Sequence, residues 1–248
     1  MTVTIKLPPV YDLSKWDPVI NWDILSPRPD LIITRATYGD ALVDAYYAEC
    51  ALQARNRGYA FWAYGFLLYV KPWQAQADLF IRTVLPGMTG DFVPVLDIEG
   101  SLPAGVSQAT ANGMIENWLT RVEAALARTC VIYSSRNYLS KLYSTTPPAW
   151  LKARELWIAG YPTNPDTLTS MPASYVPVGV PSSQVILWQY SASGVVTGIT
   201  SAVDLNQYQS GFRAVQPSAP APPPVLTLEG RVAVLEADVR QLQQIAGI

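Results

Sequence analysis

The stretch Val93–Gly100 reads Val-Pro-Val-Leu-Asp-Ile-Glu-Gly and predicts a buried strand that ends in two acidic residues. Side chains of a strand alternate between its faces, so Asp97 and Glu99 are expected on the same face as Val93 and Val95. Two carboxyl groups that close raise the pKa of one of them, and a carboxyl that stays protonated near neutral pH can act as a general acid. The alternative is a strand that runs into solvent with two ordinary surface charges.

The composition narrows the classes of function. The chain has 248 residues, half of them hydrophobic, which supports a large core in one domain or in a domain with an appendage. A net charge of -2 provides no basic surface for nucleic acid. The absence of histidine excludes Ser-His-Asp and Cys-His catalysis and leaves no imidazole for zinc. We therefore expect no metal and no cofactor, with carboxyl groups as the acid and base.

Cysteine usage and the N-terminal segment give two further expectations. Cys50 and Cys130 do not form a Cys-x-x-Cys motif, so buried free thiols are expected, with a disulfide as the alternative. Residues 1–10 lack a basic segment followed by a long apolar run. We expect no Sec-type signal peptide, no transmembrane helix and no membrane partner, and therefore synthesis in the cytoplasm.

Apolar runs alternate with helical patterns over the first half of the chain, which predicts parallel strands joined by helical crossovers. Helices are expected over residues 43–57, 72–84 and 107–126, the last with Ser107 as its N-cap. Towards the end, strands follow loops directly. Seven or eight strands in all favour an α/β fold, an irregular (β/α) barrel of the TIM type, over an open sheet.

Four acidic residues lie at or just past the ends of predicted strands: Asp12, Asp97, Glu99 and Asp204. Active sites of β/α barrels lie at the carboxyl ends of the strands. Closing the barrel would bring the first, middle and last strand ends around one mouth. Four carboxyl groups that converge there favour a functional site over isolated surface charges.

The chain resembles the lysozymes of glycoside hydrolase family 25 from about residue 8 to residue 212. Each matching segment is weak alone, but five in the family's order and rough spacing are specific. These segments are Tyr11–Trp16, Leu96–Glu99, Trp157–Tyr161, Trp188–Ser191 and Val203–Asn206.

The resemblance implies cleavage of the β-1,4 bond between N-acetylmuramic acid and N-acetylglucosamine, with bacterial peptidoglycan as the substrate. It implies Glu99 as the acid that protonates the leaving oxygen and Asp97 as the group that orients or stabilises the second centre. Asp12 and Asp204 would shape the charge of the pocket. Whether a carboxylate attacks, activates water or assists the substrate's acetamido group stays open.

Two positions depart from the family's pattern. Lys15 and Gly65 stand near places where many members carry histidine. Those histidines are not the proposed acid, so the departures bear on subsite contacts and on the pH optimum.

Aromatic residues near predicted strand ends are candidates for stacking on sugar rings. We predict substrate binding by Tyr64, Tyr133 and Trp188. The alternative, which is common for strand aromatics, is packing in the core.

The last part of the chain predicts a separate assembly segment. With a barrel over residues 1–213, residues 214–226 form a proline-rich linker and residues 227–248 a coiled-coil helix. Apolar residues repeat at heptad spacing at Leu228, Val232, Leu235, Val239 and Leu242. We expect a dimer or trimer through residues 228–246; a helix folded back on the barrel is the alternative.

The combined interpretation is a peptidoglycan-degrading lysozyme, either a phage endolysin or a virion-associated lysin. It would reside in the host cytoplasm before release to the cell wall, or in the virion. Two alternatives stay open: a glycan-binding barrel without catalysis, and a structural phage component carried on an oligomeric stalk.

Overall fold

The computed structural model describes residues 3–19, 21–143 and 145–214 of the chain. The described residues form nine strands: β1 (Val10–Leu13), β2 (Leu31–Tyr38), β3 (Leu42–Val43), β4 (Ala60–Phe66), β5 (Val93–Asp97), β6 (Val131–Ser135), β7 (Leu156–Ala159), β8 (Val185–Gly194) and β9 (Val203–Tyr208). They form five α-helices: α1 (Tyr47–Arg57), α2 (Trp73–Val84), α3 (Gln108–Leu126), α4 (Arg136–Leu142) and α5 (Ala149–Lys152). The predicted coiled coil and nearly all of the predicted linker lie outside the described residues.

Eight of these strands close into a barrel, which confirms the predicted fold class. The strand order is β1-β9-β8-β7-β6-β5-β4-β2, and pairing of β1 with β2 completes the ring. Neighbouring strands are parallel from β1 through β2 and β4 to β8. Strand β9 is antiparallel to both β8 and β1, because a short loop rather than a helical crossover joins it to β8. The two-residue β3 extends the sheet antiparallel to β2.

The start of α3 agrees with the prediction, whereas the start of α1 does not. Ser107 caps α3 as predicted, since its Oγ accepts a hydrogen bond from the Thr110 amide at 3.0 Å. The buried face of α3 includes Ile115, Trp118 and Val122, at helical spacing. Helix α1 begins at Tyr47 and not at residue 43 as predicted, because Leu42 and Val43 pair with β2 and a turn follows them.

Both faces of the barrel strands are buried, in two separate layers. One layer fills the barrel interior and the other lies between the barrel and its helices. On β5, Val95 belongs to the interior, whereas Leu96 and the following Ile98 belong to the outer layer. This confirms the predicted alternation and directs the odd-numbered residues of β5 towards the barrel axis.

Cys50 and Cys130 are buried free thiols, as predicted. Among the described residues, no helix is both long enough and apolar enough to span a membrane.

Candidate active site

A pocket of about 70 Å³ opens at the carboxyl ends of the parallel strands. All four predicted acidic residues line it, together with two of the three predicted aromatic residues. The lining consists of Asp12, Tyr64, Asp97, Glu99, Tyr133, Trp157, Gln189 and Asp204. The structure therefore brings together side chains from the first, middle and last strands of the barrel.

Strand β5 delivers Asp97 and Glu99 to the pocket on the same face. Asp97 is the last residue of β5 and is only 4% exposed, whereas Glu99 is exposed at the rim. Burial raises the pKa of Asp97 well above its usual range, and the nearby Glu99 and Asp12 carboxyl groups raise it further. Partial desolvation by the pocket wall raises the pKa of Glu99. A proton is therefore retained on this pair at a higher pH than on isolated carboxyl groups.

The Asp97 carboxyl lacks a complete set of hydrogen bonds. Its Oδ1 is buried and has no hydrogen-bond partner among the described residues. A buried carboxyl oxygen without a donor costs free energy, so a donor from a bound group would stabilise it. Among the described residues, none donates to this oxygen of Asp97.

Asp12 and Asp204 lie directly opposite each other on neighbouring strands. Asp12 on β1 is the register partner of Asp204 on β9. Burial is the main cause that raises the pKa of both groups, and for Asp204 the charge of Asp12 adds to it. Because the two carboxyl groups are neighbours, they do not ionise independently, and the pair retains a proton above the usual pKa range of aspartate.

Asp204 reaches the pocket by a route that differs from the prediction. It was expected at the carboxyl end of its strand, but it is the second residue of β9. Because β9 runs antiparallel to its neighbours, its amino end lies at the same mouth as the carboxyl ends of the other strands. Asp204 therefore lies at the mouth where the prediction placed it, and the prediction assigned no direction to its strand.

Two amide side chains that the sequence analysis missed hold the acidic pair. Asn206 Nδ2 donates a hydrogen bond to Asp12 Oδ2 at 2.6 Å. Gln189 Nε2 donates to the same oxygen at 3.0 Å and to Asp204 Oδ2 at 3.3 Å. Hydrogen bonds to the charged form oppose the rise of the Asp12 pKa that burial causes. A polar residue within each apolar strand run was the available signal for these two positions.

Two tyrosine hydroxyls fix the orientation of the Gln189 amide. Tyr133 donates a hydrogen bond to Gln189 Oε1 at 2.7 Å, and Tyr161 donates to the same oxygen. With Oε1 occupied by two donors, Nε2 is directed at the carboxyl groups of Asp12 and Asp204. Tyr133 therefore lies at the pocket, as predicted, with its hydroxyl engaged by the protein.

The three aromatic residues predicted to bind substrate differ in their position relative to the pocket. Tyr64 lines the pocket, and the burial of its hydroxyl raises its pKa well above the usual range. Trp188 does not line the pocket: it is fully buried in the outer layer, where its indole donates to the Gly160 carbonyl oxygen at 2.7 Å. Trp157 was not among the predicted binding residues, but it lines the pocket and contacts Tyr133 with ring centroids 4.3 Å apart.

A buried ion pair stands beside the pocket. Arg35 on β2 donates to Asp44 Oδ2 through Nε at 2.8 Å and through Nη2 at 2.7 Å. The same carboxyl accepts hydrogen bonds from the amides of Lys15 and Tyr46. The positive charge of Arg35 opposes the rise of the Asp97 pKa, so this pair favours the ionised form of Asp97.

No group of three or more histidine, cysteine, aspartate or glutamate side chains in the described part of the chain is arranged to hold a metal ion. The chemistry available in the pocket is therefore that of carboxyl groups. Glu99 is exposed at the rim, Asp97 is buried with one oxygen unpartnered among the described residues, and two amides hold the Asp12–Asp204 pair.

Comparison with known proteins agrees with this geometry. Residues 11–199 match the model of the glycosyl hydrolases family 25. Lysozyme M1 of Streptomyces globisporus is 28% identical over 215 residues, which cover 79% of this chain and 66% of that protein. An Escherichia coli K12 protein described as uncharacterized protein YegX is 26% identical over 86% of this chain and 75% of its own length.

A solved structure extends the comparison to three dimensions. The spore cortex lytic enzyme SleM of Clostridium perfringens superposes with a TM-score of 0.68 at 25% identity, over 86% of this chain and 72% of that one. The family match covers most of the chain, including β1, β5 and the residues that place Asp12, Asp97 and Glu99. The chain therefore belongs to family 25 of the glycosyl hydrolases.

Proposed function

We propose that this glycosyl hydrolase is a lysozyme that cleaves the β-1,4 bond between N-acetylmuramic acid and N-acetylglucosamine in bacterial peptidoglycan. The observation that carries the proposal is the meeting of Asp97 and Glu99 with the Asp12–Asp204 pair in one pocket at the barrel mouth. The names of Lysozyme M1 and of the autolytic lysozyme of Clostridium acetobutylicum, both similar to this chain, support the choice of substrate.

Glu99 is the general acid in this proposal. Its carboxyl is exposed at the rim, where a glycosidic oxygen can approach, and its raised pKa favours the protonated form. Proton transfer from Glu99 to the leaving oxygen breaks the glycosidic bond and leaves positive charge at the anomeric carbon. Water then forms the new bond to that carbon and returns a proton to Glu99, which completes the hydrolysis.

Asp97 stabilises that positive charge in this proposal. Its unpaired Oδ1 can approach the anomeric carbon directly or accept a hydrogen bond from the acetamido N–H of the substrate. Asp12 and Asp204 retain a proton between them, which limits the negative charge beside Asp97. The amides of Gln189 and Asn206 keep this pair in place.

The experiment is product analysis on purified peptidoglycan. Wild-type protein should release new reducing ends, and borohydride reduction of the products should convert muramic acid, not glucosamine, to its alditol. Reduced glucosamine would show cleavage of the other glycosidic bond. Binding to peptidoglycan without release of any reducing end, across walls from several bacteria, would instead favour a glycan-binding barrel without catalysis.

For the biological role, we propose a phage lysin that acts as an oligomer, either an endolysin or a virion-associated enzyme. The support for the oligomer is the sequence pattern of residues 214–248, in which a proline-rich segment precedes the heptad repeat. Several barrels on one stalk would engage neighbouring glycan strands together and raise the effective affinity. Sedimentation of the full chain should give a dimer or trimer, and Leu235→Asp, which places a charge in the heptad seam, should give a monomer. A monomeric wild type would contradict the oligomer.

A further inference from the structure

A second groove, of about 440 Å³, lies beside the pocket at the carboxyl ends of β6 and β7. Its lining includes Arg136, Asn137, Gly160, Tyr161, Ser174 and Tyr175, and we call it the Arg136 groove. The residues that end β6 and β7, Ser135 and Ala159, are register partners, so both strands finish at the same level of the mouth.

Tyr161 connects the Arg136 groove to the pocket. Its ring is about half exposed and lines the groove, while its hydroxyl donates to Gln189 Oε1 in the pocket wall. Two residues before the end of β6, Tyr133 shares the same acceptor. A substrate that occupies the pocket can therefore extend into the groove across the edge of Tyr161.

Arg136 gives the groove a fixed positive charge with unused donors. Its Nη1 donates to the Ser174 carbonyl oxygen at 2.5 Å, which holds the guanidinium in place. In the described part of the chain it forms no ion pair, and no acidic residue lines the groove. Because a guanidinium carries five N–H donors, most of them stay available to a ligand.

The wall of the groove is closely packed. A Cβ on Gly160 would lie 2.6 Å from Cγ of Tyr175, so the Tyr175 ring contacts the Gly160 backbone directly. The same ring lies 6.5 Å from the buried ring of Trp188. The wall of the Arg136 groove therefore contains an aromatic ring, that of Tyr175, which packs against buried residues.

We propose that the Arg136 groove binds the peptide stem of a muramic acid residue, with a stem carboxylate paired to Arg136. This inference rests on the proposed lysozyme function. The stem is anionic, and the pocket, which is lined by acidic side chains and no basic one, offers it no cationic partner. Arg136 lines the adjacent groove and has no carboxylate partner among the described residues, whereas Arg35 is already paired with Asp44. A guanidinium favours two-pronged contact with a carboxylate, which gives direction as well as affinity.

The test compares soluble, uncrosslinked glycan strands that carry peptide stems with the same strands after an amidase has removed the stems. For Arg136→Gln we expect KM on stem-bearing strands to rise about 10-fold with little change in kcat, as is typical for loss of a charged hydrogen bond. On stripped strands the variant should match wild type. Arg136→Lys, which keeps the charge, should retain most of the affinity.

The matched control is Arg55→Gln, because Arg55 also donates to a backbone carbonyl, that of Gly87, and lies on α1 away from the pocket. It should behave as wild type on both substrates. An equal effect of Arg136→Gln on both substrates, or no effect on either, would overturn the proposal. Wild-type protein that cleaves neither substrate would instead refute the lysozyme function on which the proposal rests.

Discussion

The indole N–H of Trp157 donates a hydrogen bond to Asn206 Oδ1 at 2.7 Å in the barrel interior. An indole nitrogen only donates, so this contact fixes which end of the Asn206 amide is oxygen. The other end, Nδ2, must then face Asp12, to which it donates at 2.6 Å. A tryptophan on β7 thereby sets the hydrogen bonding of a carboxyl group on β1.

Trp157→Phe tests this relationship. The substitution removes the indole donor and leaves the buried Asn206 oxygen without a partner, which costs about 1–3 kcal/mol. The amide can then rotate and turn its oxygen towards Asp12, so we expect a loss of activity beyond the loss of stability. Urea denaturation and reducing-end release, measured on the same preparations, check the two effects.

The control for this variant is Trp62→Phe. Trp62 is buried in the same barrel interior, and the structure records no hydrogen bond from its indole to a described residue. Its replacement should lower stability through lost packing and leave the activity of the folded protein nearly unchanged. Equal losses of activity in the two variants would show that packing alone, and not the hydrogen bond, explains the role of Trp157.

Strand alternation predicted which residues share a face but not which face points inward. Both faces of the barrel strands are buried and apolar, so hydrophobicity does not distinguish the interior from the helix-facing layer. Trp157 and Trp188 illustrate this, since both are buried strand tryptophans and only Trp157 faces the pocket. The acidic residues were predictable because they lie at predicted strand ends, and β/α barrels carry their active sites at the carboxyl ends of their strands.

The amide network was harder to predict. Gln189 and Asn206 act through contacts with Asp12, which lies more than 170 residues away along the chain. Local patterns carry no information about such pairs, and the register of β9 with β1 is a property of barrel closure. The direction of β9 was missed for the same reason.

The Asp12–Asp204 pair should make stability depend on pH. The pKa of Asp204 is higher in the folded protein than in the unfolded chain, so the folded state binds more protons above the usual aspartate range. Stability must therefore fall as pH rises from about 4 through the raised pKa. Asp204→Asn removes the ionisation, and we expect a flatter dependence of Tm on pH and a higher Tm than wild type at alkaline pH.

Thermal unfolding of both proteins between pH 4 and pH 9 is the measurement. The control is Asp78→Asn, because Asp78 lies on α2 and pairs with Arg121 at the surface. This control should follow the wild-type curve in shape. A wild-type Tm that rises with pH over this range, or parallel curves for wild type and Asp204→Asn, would contradict a raised pKa of the buried pair.

We expect the contributions of Arg35 and Asp44 to the free energy of unfolding to be coupled. Arg35→Gln leaves the fully buried Asp44 carboxylate without its cation, which costs about 3–5 kcal/mol. The double variant Arg35→Gln/Asp44→Asn removes both charges and should recover much of this loss, because an asparagine Oδ1 can still accept from a backbone amide. Denaturation of the two variants and of wild type checks the coupling, and additive losses would exclude it.

The same double variant should alter the pH dependence of activity. Without the positive charge of Arg35, the pKa of Asp97 rises further, so Asp97 ionises only at higher pH. If the reaction needs ionised Asp97, the acidic limb of the kcat profile must move to higher pH. An acidic limb at the wild-type pH would show that Arg35 does not control the ionisation of Asp97.

The most direct test of the account is the rate of reducing-end release from peptidoglycan by wild type, Glu99→Gln and Glu116→Gln. Glu99 lies at the rim of the pocket, while Glu116 lies exposed on α3 and serves as the matched control. Loss of a general acid should slow Glu99→Gln by about 10²–10⁴-fold while the fold is retained, and Glu116→Gln should match wild type. A folded Glu99→Gln protein that cleaves at the wild-type rate would contradict the assignment of the acid and the mechanism built on it.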